Sequence, residues 1–210
     1  MDRTYLDRLA IRTSIIRDHT PTVLQALPSS YAAIQELYTY LTTVYLPTRF
    51  PTIYSLTPTY LLNKATDHHI PLTPSSPLQA LHTLGTNIDT EFLLLVPSPD
   101  GDGYILGGFI ACFPSGFDTQ ALLEVEAEEF DINDTHLRCE RQLVHRLPQT
   151  NALVFSFKTY LTPLTQVKEE GLGEELAEAI EGLRKGSVPE IHYYKRGPLW
   201  GEKVTAYLRS

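Results

Sequence analysis

Apolar and polar residues alternate between positions 137 and 161 with the period of a β-strand. In the first run, one face carries Leu137, Cys139, Arg141, Leu143, His145 and Leu147, and the other carries Arg138, Glu140, Gln142, Val144 and Arg146. The turn-forming stretch 148–151 follows, and a second run places Leu153, Phe155, Phe157, Thr159 and Leu161 on one face. The pattern predicts a β-hairpin with strands over 137–147 and 151–161, in which Arg141 and His145 share a mostly apolar face.

Apolar residues at helical spacing predict helices on both sides of this hairpin. They cover 5–17, 30–45, 78–84 and 167–183, and a short last helix begins at Gly201 beside Trp200, a predicted core anchor. Ser29 or Ser30 caps the second helix and Pro47 ends it. Two further apolar runs predict strands over 92–96 and 104–113. The expected fold class is α+β, with the four strands in one antiparallel sheet and the helices packed around it.

The charged residues of the first hairpin strand have two interpretations. In the first interpretation, the face that carries Arg141 and His145 points partly to solvent, and Glu140 and Arg146 pair across neighbouring strands. Alternatively, this face lines a ligand pocket, because a buried charge persists only with a partner. Periodicity leaves both open. Gly107-Gly108 inside the 104–113 strand predicts a bulge, or a close approach of another group to the backbone.

Composition excludes several classes of protein. A chain of 210 residues with 42% hydrophobic residues is long enough for one globular domain with its own core. A net charge of −8 argues against a general nucleic-acid binder. The N-terminus lacks the apolar segment of a secretory signal, and no apolar run approaches the ~20 residues that span a bilayer. We expect a soluble, cytoplasmic protein.

The residues that often bind metals do not form a metal pattern. Cys112 and Cys139 lie in apolar runs and have no partner at zinc-finger spacing, so two free, slowly reacting thiols are expected. His68 and His69 are adjacent, and adjacent strand residues point in opposite directions, so an exposed turn is favoured over a shared metal. The acidic segment 121–134 has no clean period and is expected to be a solvated loop.

The chain has no phosphate-binding glycine loop, nucleophile elbow or zinc-protease motif. Four stretches in matching order nevertheless identify a family: YLPTRFPT from Tyr45, CFPSGF from Cys112, LRCERQLVHRLPQTNALVFSFKTYL from Leu137, and YYKRGPLWGEKVTAYL near the end. Together they resemble the haem-dependent oxidative N-demethylase-like family, which has many fungal members. The likeness covers nearly all of 5–210, and Glu140-Arg141-Gln142 with Arg146-Leu147-Pro148 is its most specific part.

The resemblance implies a PAS-like α+β fold that binds haem b. It implies removal of a methyl group from a small amine or related metabolite, using O2 and electrons from a reductase partner such as a flavoprotein, with release of formaldehyde. Haem requires an axial ligand, an apolar slot and cationic partners for its propionates. The axial ligand is left unassigned.

The same resemblance assigns roles to residues of this chain. Arg141 is the expected main cationic group at the haem or its bound oxygen, where a preorganised charge acts strongly. Glu140 orients Arg141. His145 and Arg146 supply further cations or hydrogen bonds, and Gly107 and Gly108 let the flat macrocycle approach the strand.

The chain departs from the family in its middle. Family members carry roughly sixty further residues, about a third of an ordinary domain, between the CFPSG turn and the acidic segment. That block includes an Ile-His-x-Pro-Val-Pro-Gly motif and an Asn-Trp pair, whereas here Gln120 runs directly into Ala121. The family's Trp after CFPSG is Phe117 here. Three hypotheses follow: a haem monooxygenase-like protein, a non-catalytic PAS-like remnant without haem, and an interaction domain without a ligand.

Overall fold

A computed structural model describes residues 3–113 and 131–210 of the chain. The described helices are α1 (Tyr5–Val23), α2 (Tyr31–Tyr40), α3 (Leu46–Arg49), α4 (Pro77–Asn87), α5 (Leu164–Glu169), α6 (Gly173–Gly182), α7 (Glu190–Tyr194) and α8 (Gly197–Arg209). The described strands are β1 (Leu24–Ala26), β2 (Tyr54–Leu56), β3 (Tyr60–Asn63), β4 (His68–Pro71), β5 (Glu91–Pro97), β6 (Tyr104–Ile110), β7 (His136–Arg146) and β8 (Leu153–Pro163). The predicted α+β class and all four predicted strands are confirmed. Most of the predicted acidic loop lies outside the described residues.

The chain divides into two compact units. The first contains Met1–Pro114 and Glu140–Thr159, and the second contains Ser115–Cys139 and Tyr160–Ser210. Strands β7 and β8 therefore contribute residues to both units. No helix within the described ranges is long and apolar enough to cross a membrane.

A five-stranded antiparallel sheet in the order β1-β6-β5-β8-β7 organises the first unit. The side chains of Phe92, Leu94 and Val96 alternate into a core, where they join buried residues of α2 and α4 such as Leu37 and Leu84. A second antiparallel sheet, in the order β2-β3-β4, adds Leu61 and Ile70 to the same core.

The predicted end of the first helix is confirmed, whereas that of the second is wrong. Helix α1 breaks at His19 (φ −132°), two residues after the predicted end at 17, and a short further helical segment that contains Pro21 continues to Val23. The second helix does not stop at Pro47. It passes through a π-helical turn at Leu41–Tyr45 into α3, in which Pro47 occupies the first turn. Proline has no N–H to donate to a carbonyl of the preceding turn, and the wider π-helical turn lies directly before Pro47.

The predicted helix over 167–183 is two helices. The chain turns at Gly171, whose φ of 78° favours glycine, and α6 begins at Gly173. A side chain on Gly173 would collide with the carbonyl oxygen of Leu208 in α8. The core of the second unit comprises Leu164, Val167, Ala177, Ile180, Val204 and Leu208, with Trp200 packed against it as predicted.

Candidate functional site

Strand β7, which carries most of the predicted site residues, is an edge strand of the five-stranded sheet. Residues 141–146 are all exposed, so the structure places Arg141, His145 and Arg146 at solvent-accessible positions. Partial desolvation still lowers the pKa of His145 below the ordinary value of an imidazole. Glu140 is half-buried and its carboxylate accepts a hydrogen bond from Gln142 at 2.9 Å.

The hairpin geometry separates these residues onto two sides. The N–H of Leu147 donates to the carbonyl of Ala152 at 2.8 Å, which places Arg146 opposite Leu153. Strands β7 and β8 each have 11 residues, and we extend the alternation from this pair along both of them. Arg141 and His145 therefore share the side of Ala152 and Val154. Glu140 and Arg146 lie on the opposite side, as the alternation of the strand predicts.

The side of the sheet that carries Arg146 is an apolar surface with substantial exposure. We call it the open face, and define it by Leu93, Leu95, Tyr104, Leu106, Phe109, Val144, Arg146, Leu153 and Phe155, which the strand registers place on one side. None of these side chains is fully buried, and Leu106 is 46% exposed. On the opposite side, Leu94 and Val154 are completely buried. The open face is thus a flat apolar surface across four strands of the first unit.

The glycine pair of β6 forms the predicted bulge. Leu94 pairs with Gly108 and Leu95 with Leu106, so Gly107 is the extra residue. A Cβ on Gly107 would lie 2.8 Å from the Cβ of Ser30. A Cβ on Gly108 would lie 3.2 Å from the carbonyl oxygen of Gln25. The close approach predicted for these glycines is therefore made by the protein itself.

A buried ion pair, which the sequence analysis missed, lies at the start of β5. The fully buried Arg12 donates to the carboxylate of Glu91 and, at 2.8 Å, to the carbonyl of Gly85. The second carboxylate oxygen of Glu91 accepts from the backbone N–H of Cys112 at 2.8 Å. The sequence signal was present, because Arg12 continues the buried stripe of Leu9 and Ile16 at spacings of three and four.

A second buried cluster surrounds Asp89. Lys158 Nζ lies 2.6 Å from its carboxylate and Arg8 Nε lies 3.8 Å away. The guanidinium of Arg8 also lies 5.6 Å from the ring centroid of Phe113. The Arg12–Glu91 pair is balanced in charge, whereas the cluster at Asp89 places two cations beside one carboxylate. Together they fix Cys112 and Phe113, the last described residues before the gap at 114–130.

A polar network fixes the protonation of His68. Asn87 donates its Nδ2–H to the carbonyl of Thr83 at 3.0 Å, so its Oδ1 is the acceptor that faces His68 Nδ1 at 2.9 Å. Neutral His68 therefore carries its proton on Nδ1. His68 and His69 are both exposed, as predicted, but they begin strand β4 and do not form the predicted turn. His69 stacks on Tyr60 of β3 with a centroid separation of 4.2 Å.

A concave site occurs in each unit. A groove of about 670 Å³ in the first unit is lined by α1 from Leu6 to Arg17, by Asp67 and His68, and by His82 on α4. A cavity of about 320 Å³ in the second unit is lined by Arg184, Lys185 and His192, among others. His192 Nε2 accepts from Arg184 Nε at 2.9 Å. Neither concave site contains a residue predicted to bind haem.

The open face meets part of what haem requires. It supplies a flat apolar surface and the cationic Arg146 for a propionate. It contains no His, Cys or Met, the commonest axial ligands. His145 lies on the other side of β7, and no group of three His, Cys, Asp or Glu side chains suited to a metal occurs in the described parts of the chain. The described residues fit the porphyrin plane but do not provide a ligand for the iron.

Cys112 and Cys139 are both free, and their environments differ. Burial raises the pKa of the Cys112 thiol to about 11, whereas Cys139 is exposed. Slow reaction is therefore expected of Cys112 alone.

Comparison with known proteins agrees with the sequence motifs. A family model described as haem-dependent oxidative N-demethylase, alpha subunit-like, matches residues 1–126 and 121–205. The two matched segments meet at the position where the sequence analysis placed the lost block. No curated protein matches the chain. Because the matches span nearly the whole chain, the protein belongs to the haem-dependent oxidative N-demethylase, alpha subunit-like family.

Proposed function

We propose that this chain is a haem-binding oxidoreductase that removes a methyl group from a small amine with O2, and that the open face holds the haem. The observation that carries the proposal is the set of exposed apolar side chains across four strands of a chain from this family. Covering apolar surface contributes about 25 cal/mol per Å². A flat apolar macrocycle is the ligand shape that matches this surface.

The chain's own residues would bind and orient this group. Leu93, Leu106 and Phe155 would contact the ring, and Arg146 would pair with a propionate by a charge-assisted hydrogen bond. When bound, haem supplies O2 chemistry, in which the methylated amine, O2, two electrons and two protons give the demethylated amine, formaldehyde and water. We propose a flavin reductase as the electron source, haem b as the cofactor, a PAS-like fold and a cytoplasmic location.

The roles of Arg141, Glu140 and His145 at the haem are also proposals. Arg141 and His145 lie on the side of β7 away from the open face, so Arg146 is the better placed propionate partner. If Arg141 nevertheless acts at the haem or its bound oxygen, Arg141→Leu removes a charge-assisted contact and lowers haem affinity or turnover by about tenfold or more. His68→Ala, on the groove of the first unit, changes neither.

A second candidate function is a PAS-like binding or remnant domain that has lost haem. The absence of a common iron ligand from the open face, as described, favours it. A metal site that lacks a ligand loses most of its affinity, because the remaining contacts do not hold the ion.

Hemin titration of the purified protein separates the two candidates. The haem proposal predicts a saturable Soret band distinct from that of free hemin. It also predicts at least tenfold weaker binding for Leu106→Glu, which places a charge on the open face. Leu172→Glu is the matched control, because Leu172 is 49% exposed in the second unit and lies outside the open face.

Formaldehyde release from a methylated amine, with O2 and a chemical reductant, tests the activity itself. A spectrum of free hemin for the unmodified chain supports the remnant and refutes the haem proposal. Equal binding by both leucine variants refutes the open face as the site.

A further inference from the structure

The cavity of the second unit contains a buried imidazole that the proposed haem function does not use. His192 on α7 is 4% exposed, and its Nε2 accepts the hydrogen bond from Arg184 Nε at 2.9 Å. A guanidinium only donates hydrogen bonds, so Nε2 carries the lone pair and neutral His192 has its proton on Nδ1. This Nδ1 is buried and has no hydrogen-bond partner among the described residues. Because a buried donor is seldom left without an acceptor, the presence of His192 requires a reason.

The contact between His192 and Arg184 fixes the direction of the guanidinium. The imidazole packs directly against Gly197, where a Cβ would collide with Nδ1 and Cε1 of the ring. Since the ring holds Arg184 through Nε, the two terminal amino groups of the guanidinium are left without a hydrogen bond in the described parts of the chain. These two groups form a fork that can donate to both oxygens of one carboxylate. His192 is therefore a positioning residue for Arg184.

Charges of both signs line the cavity, and only some of them are balanced within the chain. Glu181 accepts a hydrogen bond from Arg209 at 2.6 Å, which lowers the pKa of Glu181, so this carboxylate already has its counter-ion. The side chains of Lys185 and Glu202 form no hydrogen bond or salt bridge within the described ranges. The cavity thus offers two cations, Arg184 and Lys185, and one carboxylate, Glu202, to a molecule that enters it.

The size and the apolar wall of the cavity suit a short aliphatic molecule. Its volume is about 320 Å³, at the lower end of the range for pockets that hold small ligands. Ile180 supplies apolar surface beside Gly201. A Cβ placed on Gly201 would lie 3.9 Å from Cγ2 of Ile180, with no closer contact among the described residues, so this wall leaves open space.

We propose that this cavity binds a small acidic amino acid, with one carboxylate on the fork of Arg184, the second on Lys185 and the ammonium group on Glu202. Two negative charges and one positive charge on the ligand match the two cations and one carboxylate of the cavity. A simple dianion is repelled by Glu202, and a simple amine is repelled by Arg184 and Lys185. The site goes beyond the haem function and does not depend on it.

Amide chemical-shift titration by NMR, on the full chain without hemin, tests the site with L-glutamate as the probe. Arg184 and Lys185 are exposed, so water screens their charges, and we expect a Kd of about 0.1–1 mM. Arg184→Gln removes the fork and should weaken binding about tenfold or more, because a charge-assisted hydrogen bond is lost. Lys195→Gln is the matched control and should leave the Kd unchanged, because Lys195 lies outside the cavity, with its Nζ 5.8 Å from the ring centroid of Tyr194.

Glu202→Gln distinguishes an amino-acid site from a general anion site. Glutarate has the two carboxylates of L-glutamate but no ammonium group, and it should bind the unmodified chain about tenfold more weakly. Glu202→Gln should weaken L-glutamate binding, because the ammonium group loses its counter-ion. The same variant should strengthen glutarate binding, because a repelling carboxylate is removed. The two ligands should therefore respond in opposite directions.

Two replacements of His192 test its positioning role. Gln offers a carbonyl oxygen that can accept from Arg184 Nε, whereas Leu offers no acceptor. His192→Gln should therefore retain most of the affinity for L-glutamate, and His192→Leu should lose about tenfold or more. A purely structural role predicts instead that the affinity follows the thermal midpoint of each variant. Gly201→Leu, which fills the open space beside Ile180, should abolish binding while the chain stays folded.

Three results would overturn the proposal. The first is the absence of a saturable response to L-glutamate up to about 10 mM, well above the expected Kd. The second is an Arg184→Gln variant that binds L-glutamate as tightly as the unmodified chain. The third is binding of glutarate or inorganic phosphate at least as tight as that of L-glutamate, which would make the cavity a general anion site.

Discussion

The buried pair of Arg12 and Glu91 gives the sharpest stability prediction for the first unit. Their side chains are 0% and 2% exposed, so removing one charge leaves the other desolvated without a counter-ion. Glu91→Gln keeps the shape of the side chain and removes its charge. Breaking one partner of a buried pair costs about 3–5 kcal/mol, and we expect Glu91→Gln to lower the free energy of unfolding by this amount.

The double variant Arg12→Met/Glu91→Gln separates the charge from the packing. It removes both buried charges, so its loss of unfolding free energy should be smaller than the sum of the losses for Arg12→Met and Glu91→Gln. Some loss should remain, because the carbonyl of Gly85 loses its donor when Arg12 is replaced by methionine. Urea unfolding monitored by far-UV circular dichroism measures all four proteins.

The exposed pair on the same helix provides the control. Arg17 is 71% exposed beside Asp18, and Arg17→Met should leave the unfolding midpoint unchanged. A loss below about 1 kcal/mol for Glu91→Gln would contradict the reasoning, because it would mean that water reaches the remaining Arg12 charge. Strictly additive single losses would likewise show that the two groups do not interact.

Two further predictions concern a helix contact and alkaline stability. Gly173→Ala should lower the free energy of unfolding by about 1–3 kcal/mol, because its methyl group collides with a backbone carbonyl of α8. Gly182→Ala, which has open space around it, is the control and should leave this free energy unchanged in urea unfolding. Equal losses for the two variants would refute the contact. The pKa of Cys112 is raised from 9.0 to about 11, so the unfolded chain loses this proton first and stability falls as pH rises from 9 to 11. Urea midpoints for Cys112→Ala should fall less steeply than the parent's over that range, and parallel curves would contradict the assignment.

The local structure of this chain follows from its sequence. Alternation of apolar residues located β7 and β8 to within two residues, because the side-chain period of a strand is set by the backbone alone. The glycine pair of β6 indicated a bulge for the same local reason, since a residue without Cβ tolerates a tight approach. The family motifs could also be recognised in the sequence, because they depend only on the order of the residues.

The arrangement of the candidate site depends on contacts between residues distant in sequence, which no local sequence pattern predicts. Alternation already separates Arg141 and His145 from Arg146, but only the register of the hairpin shows which of them share the open face, and strand order leaves β7 at an edge. The pairing of Arg12 with Glu91 joins residues 79 positions apart, so the helical spacing of Arg12 with Leu9 and Ile16 carries a signal for its burial but none for its partner. Sequence determined which residues lie on strands and helices. Only the tertiary structure decided which of their faces are covered, because coverage depends on the order in which distant elements pack.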